Sequence, residues 1–183
     1  FPTRRSSDLG VDLEQCCILF YIGLNATVGG CDFSEILIKN ANKYMKGNFF
    51  VSSVIDVDIN KAYDYAISNS VFQYFPSEQY ARNVVSKMLK TAKKKIAILD
   101  VNDKDKEDIA KTIRGNQKTK KFNKHHYYHK SFWYDVAMKE ACDITIKEQN
   151  IKEYGNSSFR YNVFLQKENK YENCIDFSRR SWK

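Results

Sequence analysis

The stretch Tyr63–Pro76, YDYAISNSVFQYFP, decides the predicted fold of this chain. Its apolar run Tyr65–Ile67 shows no alternation with polar residues, which is typical of a strand buried on both faces of a parallel sheet. The polar residues Ser68–Ser70 follow at the carboxyl end of that strand, where open α/β sheets bind their ligands. Pro76 ends the run. The stretch therefore predicts a buried strand that ends in a polar edge.

A helix and a second strand follow this stretch. Ser77 is placed to cap the helix, because its hydroxyl can accept a bond from a backbone amide of the first turn. The run Ile96–Asp100 predicts the second buried strand. Together they form a βαβ unit, which either binds a ligand at its polar edge or is a plain structural unit. The helix face that we expect to be buried consists of Tyr80, Val84, Val85, Met88 and Leu89.

Composition favours one packed domain. The chain has 183 residues, of which 43% are hydrophobic and 14% aromatic. No apolar run approaches the roughly 18 residues that cross a bilayer, and we find no signal-peptide pattern. The cysteines show no CxxC spacing, so we expect reduced thiols and a cytoplasmic protein. They are Cys16, Cys17, Cys31, Cys142 and Cys174.

The formal net charge is +8, and lysines cluster in residues 87–95 and 118–130. Such a balance permits binding to a nucleic acid or another anionic partner. A solvated lysine face explains it equally, and no nucleic-acid-binding motif accompanies it.

The first residues differ in character from the rest. Residues 1–9, FPTRRSSDL, read like a translated sequencing adapter joined to a truncated reading frame. We therefore expect a non-native tail at 1–9, one domain over residues 10–167 and a C-terminal tail over 168–183. A genuine polar N-terminal tail is the alternative.

An acid stands at the end of another predicted strand. The run Leu24–Cys31 favours a strand, Asp32 follows it, and Ser34 with Glu35 suits the capped first turn of a helix. An acid in this position either belongs to the helix cap or accepts hydrogen bonds from both hydroxyls of a bound ribose.

Three segments carry a family resemblance. Residues 29–38 resemble the second motif, and residues 63–75 the fourth-strand motif, of class I S-adenosylmethionine-dependent methyltransferases of the small-molecule type. Residues 96–100 are similar to the fifth strand of that family. The resemblance implies a Rossmann-like, three-layer α/β sandwich with a mostly parallel sheet and a C-terminal antiparallel hairpin. It also implies a third strand over residues 48–54 and S-adenosylmethionine as the cofactor.

The resemblance implies roles for individual residues in the cofactor site. Asp32 would hold the ribose hydroxyls, and Phe33 would flank the adenine. Asn69 and Ser70 would line the floor near the transferred methyl group. Asp56 would contact the adenine amine, although a solvated loop acid is the alternative reading of this residue and of its neighbour Asp58.

The glycine-rich turn of the family is matched only faintly. Gly10 is the cofactor-binding glycine that the resemblance implies, but Asp12 and Glu14 stand where small residues are expected. We expect a first strand that is missing or incomplete and a native protein that begins upstream. Whether this truncated form binds cofactor or is inactive stays open.

The C-terminal part predicts a helix over residues 103–114 with Ile109 and Ile113 on its buried face, and then a helix over 130–141. Strands over 143–149 and 159–166 would form the antiparallel hairpin. The residues that the later helix offers to the core are Phe132, Trp133, Val136, Ala137 and Ala141.

The substrate mouth is expected between these elements. Tyr74, Tyr128 and His129 are the expected substrate contacts, and an aromatic lid packed on the sheet is the alternative for the latter two. Adjacent histidines on a loop seldom converge on one ion, so we expect no metal. His126 or His129 is the expected base, should the acceptor need to lose a proton.

The predicted function is therefore transfer of a methyl group to a small molecule or an exposed side chain. A non-catalytic, methyltransferase-like binding module for an anionic partner is the main alternative. An RNA methyltransferase is a third hypothesis and depends on charge alone.

Overall fold

The computed structural model describes residues 26–56, 63–115 and 125–167. The predicted features that fall on residues 1–25, among them Gly10, and on Asp58 and the tail over 168–183 lie outside the described residues. The strands are β1 Val28–Asp32, β2 Gly47–Val51, β3 Tyr63–Asn69, β4 Ala92–Asn102, β5 Cys142–Glu148 and β6 Arg160–Lys167. The helices are α1 Glu35–Tyr44, α2 Glu78–Thr91, α3 Glu107–Gly115 and α4 Lys130–Glu140.

The strands form two sheets. β1 and β2 pair in parallel, and the second sheet has the order β3-β4-β6-β5. Within it, β3 and β4 are parallel, whereas β6 is antiparallel to both β4 and β5. The parallel βαβ unit and the closing antiparallel hairpin are thus confirmed. The single, mostly parallel sheet is confirmed only in part, because the described strands divide into a parallel pair and a mixed sheet.

The helices α1 and α2 begin where the sequence predicts, whereas the helix predicted from residue 103 begins at Glu107. The Ser34 hydroxyl accepts a bond from the Leu37 amide at the start of α1, and the Ser77 hydroxyl accepts one from the Tyr80 amide at the start of α2. Both caps satisfy amides that have no partner within the helix. Glu35 also stands in the first turn of α1, where a negative charge favours the helix dipole.

The main core lies between one face of the four-stranded sheet and the two helices α2 and α4. Apolar side chains at helical spacing pack on alternate residues of β4 and β6, as the periodicities of helix and strand require. The largest fully buried side chains there are Trp133, Tyr128, Tyr161, Phe72, Ile96, Ile98, Leu165, Val84 and Val85. A second, small cluster joins α1 to β2 and consists of Ile38, Ala41, Met45 and Phe49.

Three sequence predictions about burial are wrong. Tyr65 is 59% and Ile67 38% exposed, so β3 is not buried on both faces. Because strand side chains alternate, these two lie on the face opposite Ala66, which packs against the main core. Ile109 and Ile113 are exposed too, because α3 buries Ala110 instead. Ala141 is exposed at the end of α4, where its φ of 50° closes the helix in a left-handed turn.

Within the described ranges, no helix has the length and hydropathy that crossing a membrane requires.

The buried pair of Trp133 and Tyr161 provides a stability test. The Trp133 indole Nε1 donates to the Tyr161 hydroxyl at 2.7 Å, and that hydroxyl donates to the Tyr128 carbonyl at 2.9 Å. Tyr161→Phe leaves the indole N–H buried without this acceptor, so we expect a loss of ~1–3 kcal/mol in the free energy of unfolding. Denaturant titration measures it. Tyr134→Phe, at a 52% exposed residue, is the matched control. Equal effects of the two substitutions would contradict this account.

Candidate functional site

Asp32 ends β1, and its side chain is buried. The residue is 5% exposed, and Oδ1 accepts a bond from the Ser34 amide at 2.8 Å. Burial raises the pKa of this carboxyl above its ordinary value, while hydrogen bonds from the Ser34 and Phe33 amides act in the opposite direction. The chain thus places a costly buried acid directly before a capped helix, where it takes part in fixing the turn.

The side chains next to Asp32 differ in exposure. The Phe33 side chain is 63% exposed, which leaves its ring free for stacking. Cys31 precedes Asp32 in β1. Burial, and to a smaller extent the negative charge of Asp32, raises the pKa of the Cys31 thiol to about 11. Cys31 is therefore a neutral thiol at pH 7 and not a nucleophile.

Asn69 and Ser70 stand at the carboxyl end of β3. Asn69 is half-buried and pairs in register with Leu99, and the Ser70 amide donates to the Leu99 carbonyl at 3.1 Å. Ser70 has a φ of 55°, a left-handed conformation that non-glycine residues seldom adopt. Its hydroxyl donates to Asp100 Oδ2 at 2.5 Å. The polar edge predicted from the sequence is thus a turn held by a buried acid.

Gln73 links this turn to the segment before α4. Its side-chain amide donates to the Ser70 carbonyl at 3.1 Å, and its own carbonyl accepts from the His126 amide at 2.8 Å. The Asn102 side chain bonds both Gln73 Oε1 at 3.4 Å and the His126 carbonyl at 3.0 Å. The turn after β3 and the histidine segment are therefore fixed against one another.

The expected substrate contacts lie in different environments. Tyr74 is 40% exposed, and its ring meets the His125 ring edge-on at 5.0 Å. His129 is exposed, and its Nδ1 lies 2.9 Å from Asp105 Oδ1. Tyr128 is fully buried, and its hydroxyl donates to the Phe72 carbonyl at 2.9 Å. Tyr128 thus belongs to the core, the position that the aromatic-lid alternative describes.

Two further candidates are placed by the structure. Asp56 is exposed in a turn in which its amide donates to the Ser53 carbonyl at 2.9 Å. His126 is half-buried, and this burial is the main cause that lowers the pKa of its imidazole. A lowered pKa keeps the ring neutral near pH 7, the form in which it can accept a proton.

A cluster around Asp100 was missed by sequence reasoning. Asp100 is 6% exposed, and its carboxylate bonds the side chains of Ser70, Gln149 and Tyr154. Arg160, which is 2% exposed, donates to the Asp100 carbonyl at 2.7 Å. A signal existed, because Asp100 ends a buried apolar run just as Ser68–Ser70 end β3. No group of three or more metal-ligating side chains converges within the described residues.

Several solved structures share this arrangement of helices and strands. Magnesium protoporphyrin IX methyltransferase from Synechocystis PCC 6803, with bound S-adenosylhomocysteine, matches 78% of this chain with a TM-score of 0.58 and 16% identity. The plantazolicin methyltransferase BpumL, in complex with the same product, matches 86% of this chain and 73% of its own length, with a TM-score of 0.63 and 15% identity.

A methyltransferase from Thermotoga maritima, described as a possible histamine N-methyltransferase, matches 81% of this chain and 76% of its own length, with a TM-score of 0.57 and 11% identity. The chain has the fold of class I methyltransferases. It spans 65% of the length of the Synechocystis enzyme. No protein-family model and no curated protein sequence matches it.

This fold accounts for the strand order. In this chain, the βαβ unit and the antiparallel hairpin form the four-stranded sheet, and β1 and β2 form a separate parallel pair. Asp32 and Asn69 each end a strand that belongs to a parallel pair. In open sheets of this kind, ligands bind outside the carboxyl ends of the strands.

The buried Asp32 carboxyl gives a pH-dependent stability prediction. The pKa of Asp32 is higher in the folded chain than in the unfolded chain. The folded chain therefore loses stability as the pH rises from the unfolded pKa through the folded pKa, and this loss is absent below the unfolded pKa. Asp32→Asn removes this loss. We expect the stability of the variant relative to the original chain to rise between pH 3.5 and pH 7, as measured by denaturant titration at each pH.

Glu107→Gln is the control, because its stability relative to the original chain should change with pH in the opposite direction. Hydrogen bonds from Lys104 and Lys111 lower the pKa of Glu107, so its stabilisation is present above its unfolded pKa and is lost as the pH falls through its folded pKa. The relative stability of Glu107→Gln should therefore fall between pH 3.5 and pH 7. A pH-independent difference for Asp32→Asn would contradict the assignment of Asp32 as a destabilised, buried acid.

Proposed function

We propose that this chain binds S-adenosylmethionine at the carboxyl ends of β1 and β3 and transfers its methyl group to a small-molecule acceptor. The observation that carries the proposal is the buried Asp32 carboxylate at the end of a parallel strand, followed by an exposed aromatic ring and a capped helix. The fold supports the proposal, since class I methyltransferases of similar structure are seen with S-adenosylmethionine or S-adenosylhomocysteine bound.

The residues at the edge of the β1–β2 pair fit a nucleoside. A carboxylate offers about four lone-pair positions, and the amides of Ser34 and Phe33 account for two at Asp32. The remaining capacity suits two vicinal ribose hydroxyls. The exposed Phe33 ring can lie against an adenine, and Asp56, exposed in the turn after β2, can accept from the adenine amine. A buried acid with a raised pKa at the carboxyl end of a parallel strand is a candidate for ligand binding.

The residues after β3 suit the reacting end of the cofactor. Bonds to Asp100 and Gln73 hold Ser70 in its left-handed conformation, so Asn69 and Ser70 form a rigid floor. The sulfonium group supplies a methyl that is already activated. The protein therefore has to align an acceptor and exclude water rather than to form a covalent intermediate.

The acceptor side of the site includes Tyr74, His126 and His129. The neutral imidazole of His126 is the favoured base for an acceptor that must lose a proton, because burial lowers its pKa and Gln73 fixes its backbone next to the Ser70 turn. His129 is held by Asp105 and is the more exposed of the two.

Calorimetric titration with S-adenosylhomocysteine tests the proposal. We expect saturable binding, and we expect Asp32→Ala to weaken it by about 100-fold or more, because two hydrogen bonds to a charged group are lost. Asp143→Ala, which removes an exposed acid from β5, is the matched control and should leave the affinity unchanged. Absence of binding at millimolar ligand, or equal affinity of Asp32→Ala and Asp143→Ala, would exclude the proposed site.

A further inference from the structure

One carboxylate oxygen gathers two hydroxyl groups beside the proposed methyl-transfer floor. Asp100 Oδ2 accepts from the Ser70 hydroxyl at 2.5 Å and from the Tyr154 hydroxyl at 3.1 Å. Ser70 directly follows Asn69 at the end of β3, whereas Tyr154 lies in the connection between β5 and β6. The antiparallel hairpin thus brings a tyrosine hydroxyl to the same carboxylate that holds the β3 turn.

The remaining contacts fix Asp100 in place. Its amide donates to Asn162 Oδ1 at 2.9 Å, and its carbonyl accepts from Arg160 at 2.7 Å. The guanidinium also lies 3.5 Å from Asp100 Oδ2, so the buried negative charge is compensated. Gln149 Nε2 donates to Asp100 Oδ1 at 3.3 Å and to Asn162 Oδ1 at 3.1 Å. Asp100 is therefore a positioning residue that sets the direction of the two hydroxyl groups.

Three groups of this cluster carry oxygen atoms that can accept hydrogen bonds. A hydroxyl that donates its proton to a carboxylate keeps its lone pairs. Asn156 Nδ2 donates to the Tyr154 hydroxyl at 3.4 Å, so Tyr154 keeps one lone pair and Ser70 keeps its own for bonds from a ligand. Gln149 Oε1 is buried and has no hydrogen-bond partner among the described residues. Since buried polar atoms are normally bonded, this oxygen indicates a donor that a bound molecule would supply. Tyr154 is only half-buried, which leaves its ring accessible.

We propose that Ser70, Gln149 and Tyr154 bind the nucleophilic group of the methyl acceptor and select a hydrogen-bond donor, a hydroxyl or an amine, over a carboxylate. This inference rests on the proposed function, because it takes Ser70 to lie beside the transferred methyl group. A carboxylate would bring its lone pairs against those of three acceptors, which disfavours binding and gives the selectivity.

Three small probes of one shape test the selectivity. Benzyl alcohol, benzylamine and benzoate are offered at equal concentration to the chain saturated with S-adenosylhomocysteine, and saturation-transfer NMR reports binding. The alcohol and the amine should bind and benzoate should not. Tyr154→Phe should lower the affinity for both donor probes ~5-fold, the effect of one lost hydrogen bond. The affinity for S-adenosylhomocysteine should stay unchanged.

The exposed-site variant Tyr134→Phe controls for the substitution itself and should leave probe binding unaltered. Benzoate binding as strong as that of the donor probes, no donor-probe binding to the loaded chain, or an unchanged affinity in Tyr154→Phe would each overturn the inference. If Tyr154→Phe does not fold, the relative affinities of the original chain for the three probes still test the inference. A chain that does not bind S-adenosylhomocysteine would contradict the proposed function itself. A chain that binds S-adenosylhomocysteine but binds all three probes equally would contradict only the inference about the acceptor.

Discussion

The buried carboxylate of Asp100 is the constraint that organises the carboxyl edge of the four-stranded sheet. It joins the turn after β3, the body of β4 and the β5–β6 connection, and it contacts Arg160 at the start of β6. A charge with so little exposure requires a buried partner of opposite sign, and Arg160 supplies it. Ser70 and Asp100 both have φ near 60°. This conformation costs on the order of 1–3 kcal/mol per residue, and the hydrogen bonds of the two residues to one another and to the hairpin hold it in place.

Features whose causes are local could be predicted from the sequence. The caps at Ser34 and Ser77 each depend on an amide three residues away, and the buried face of α2 depends on spacing within one helix. The Asp32 site shares this property, since the strand, the acid, the exposed phenylalanine and the capped helix are contiguous. A resemblance over ten residues was therefore sufficient to identify Asp32 as the residue at the strand end.

Features that depend on distant partners could not be predicted in the same way. A run such as Tyr65–Ile67 indicates a strand, but its burial depends on which elements cover the second face of the sheet. Ile109 and Ile113 have the spacing of a buried helix face, yet Ala110 is the residue that packs. The Asp100 cluster requires residues 30 to 62 positions away in sequence, so only the pairing of β4 with β6 brings Asn162 and Tyr154 to it.

The two sides of the proposed site differ in the size of the hydrophobic core that supports them. The acceptor side, which includes Ser70, belongs to the sheet that packs on the main core. Asp32 belongs to the separate β1–β2 sheet, which packs on a cluster of four buried residues. Its connections to the main core include the Ser53–Tyr80 bond of 3.3 Å, the bond from Lys87 to the Ile55 carbonyl, and the packing of Val54. A segment with few buried apolar contacts opens at lower free energy than the core. Under the proposed function, a ligand that contacts both Asp32 and Ser70 would stabilise the folded β1–β2 pair by mass action, so that cofactor binding and the order of this pair would be coupled.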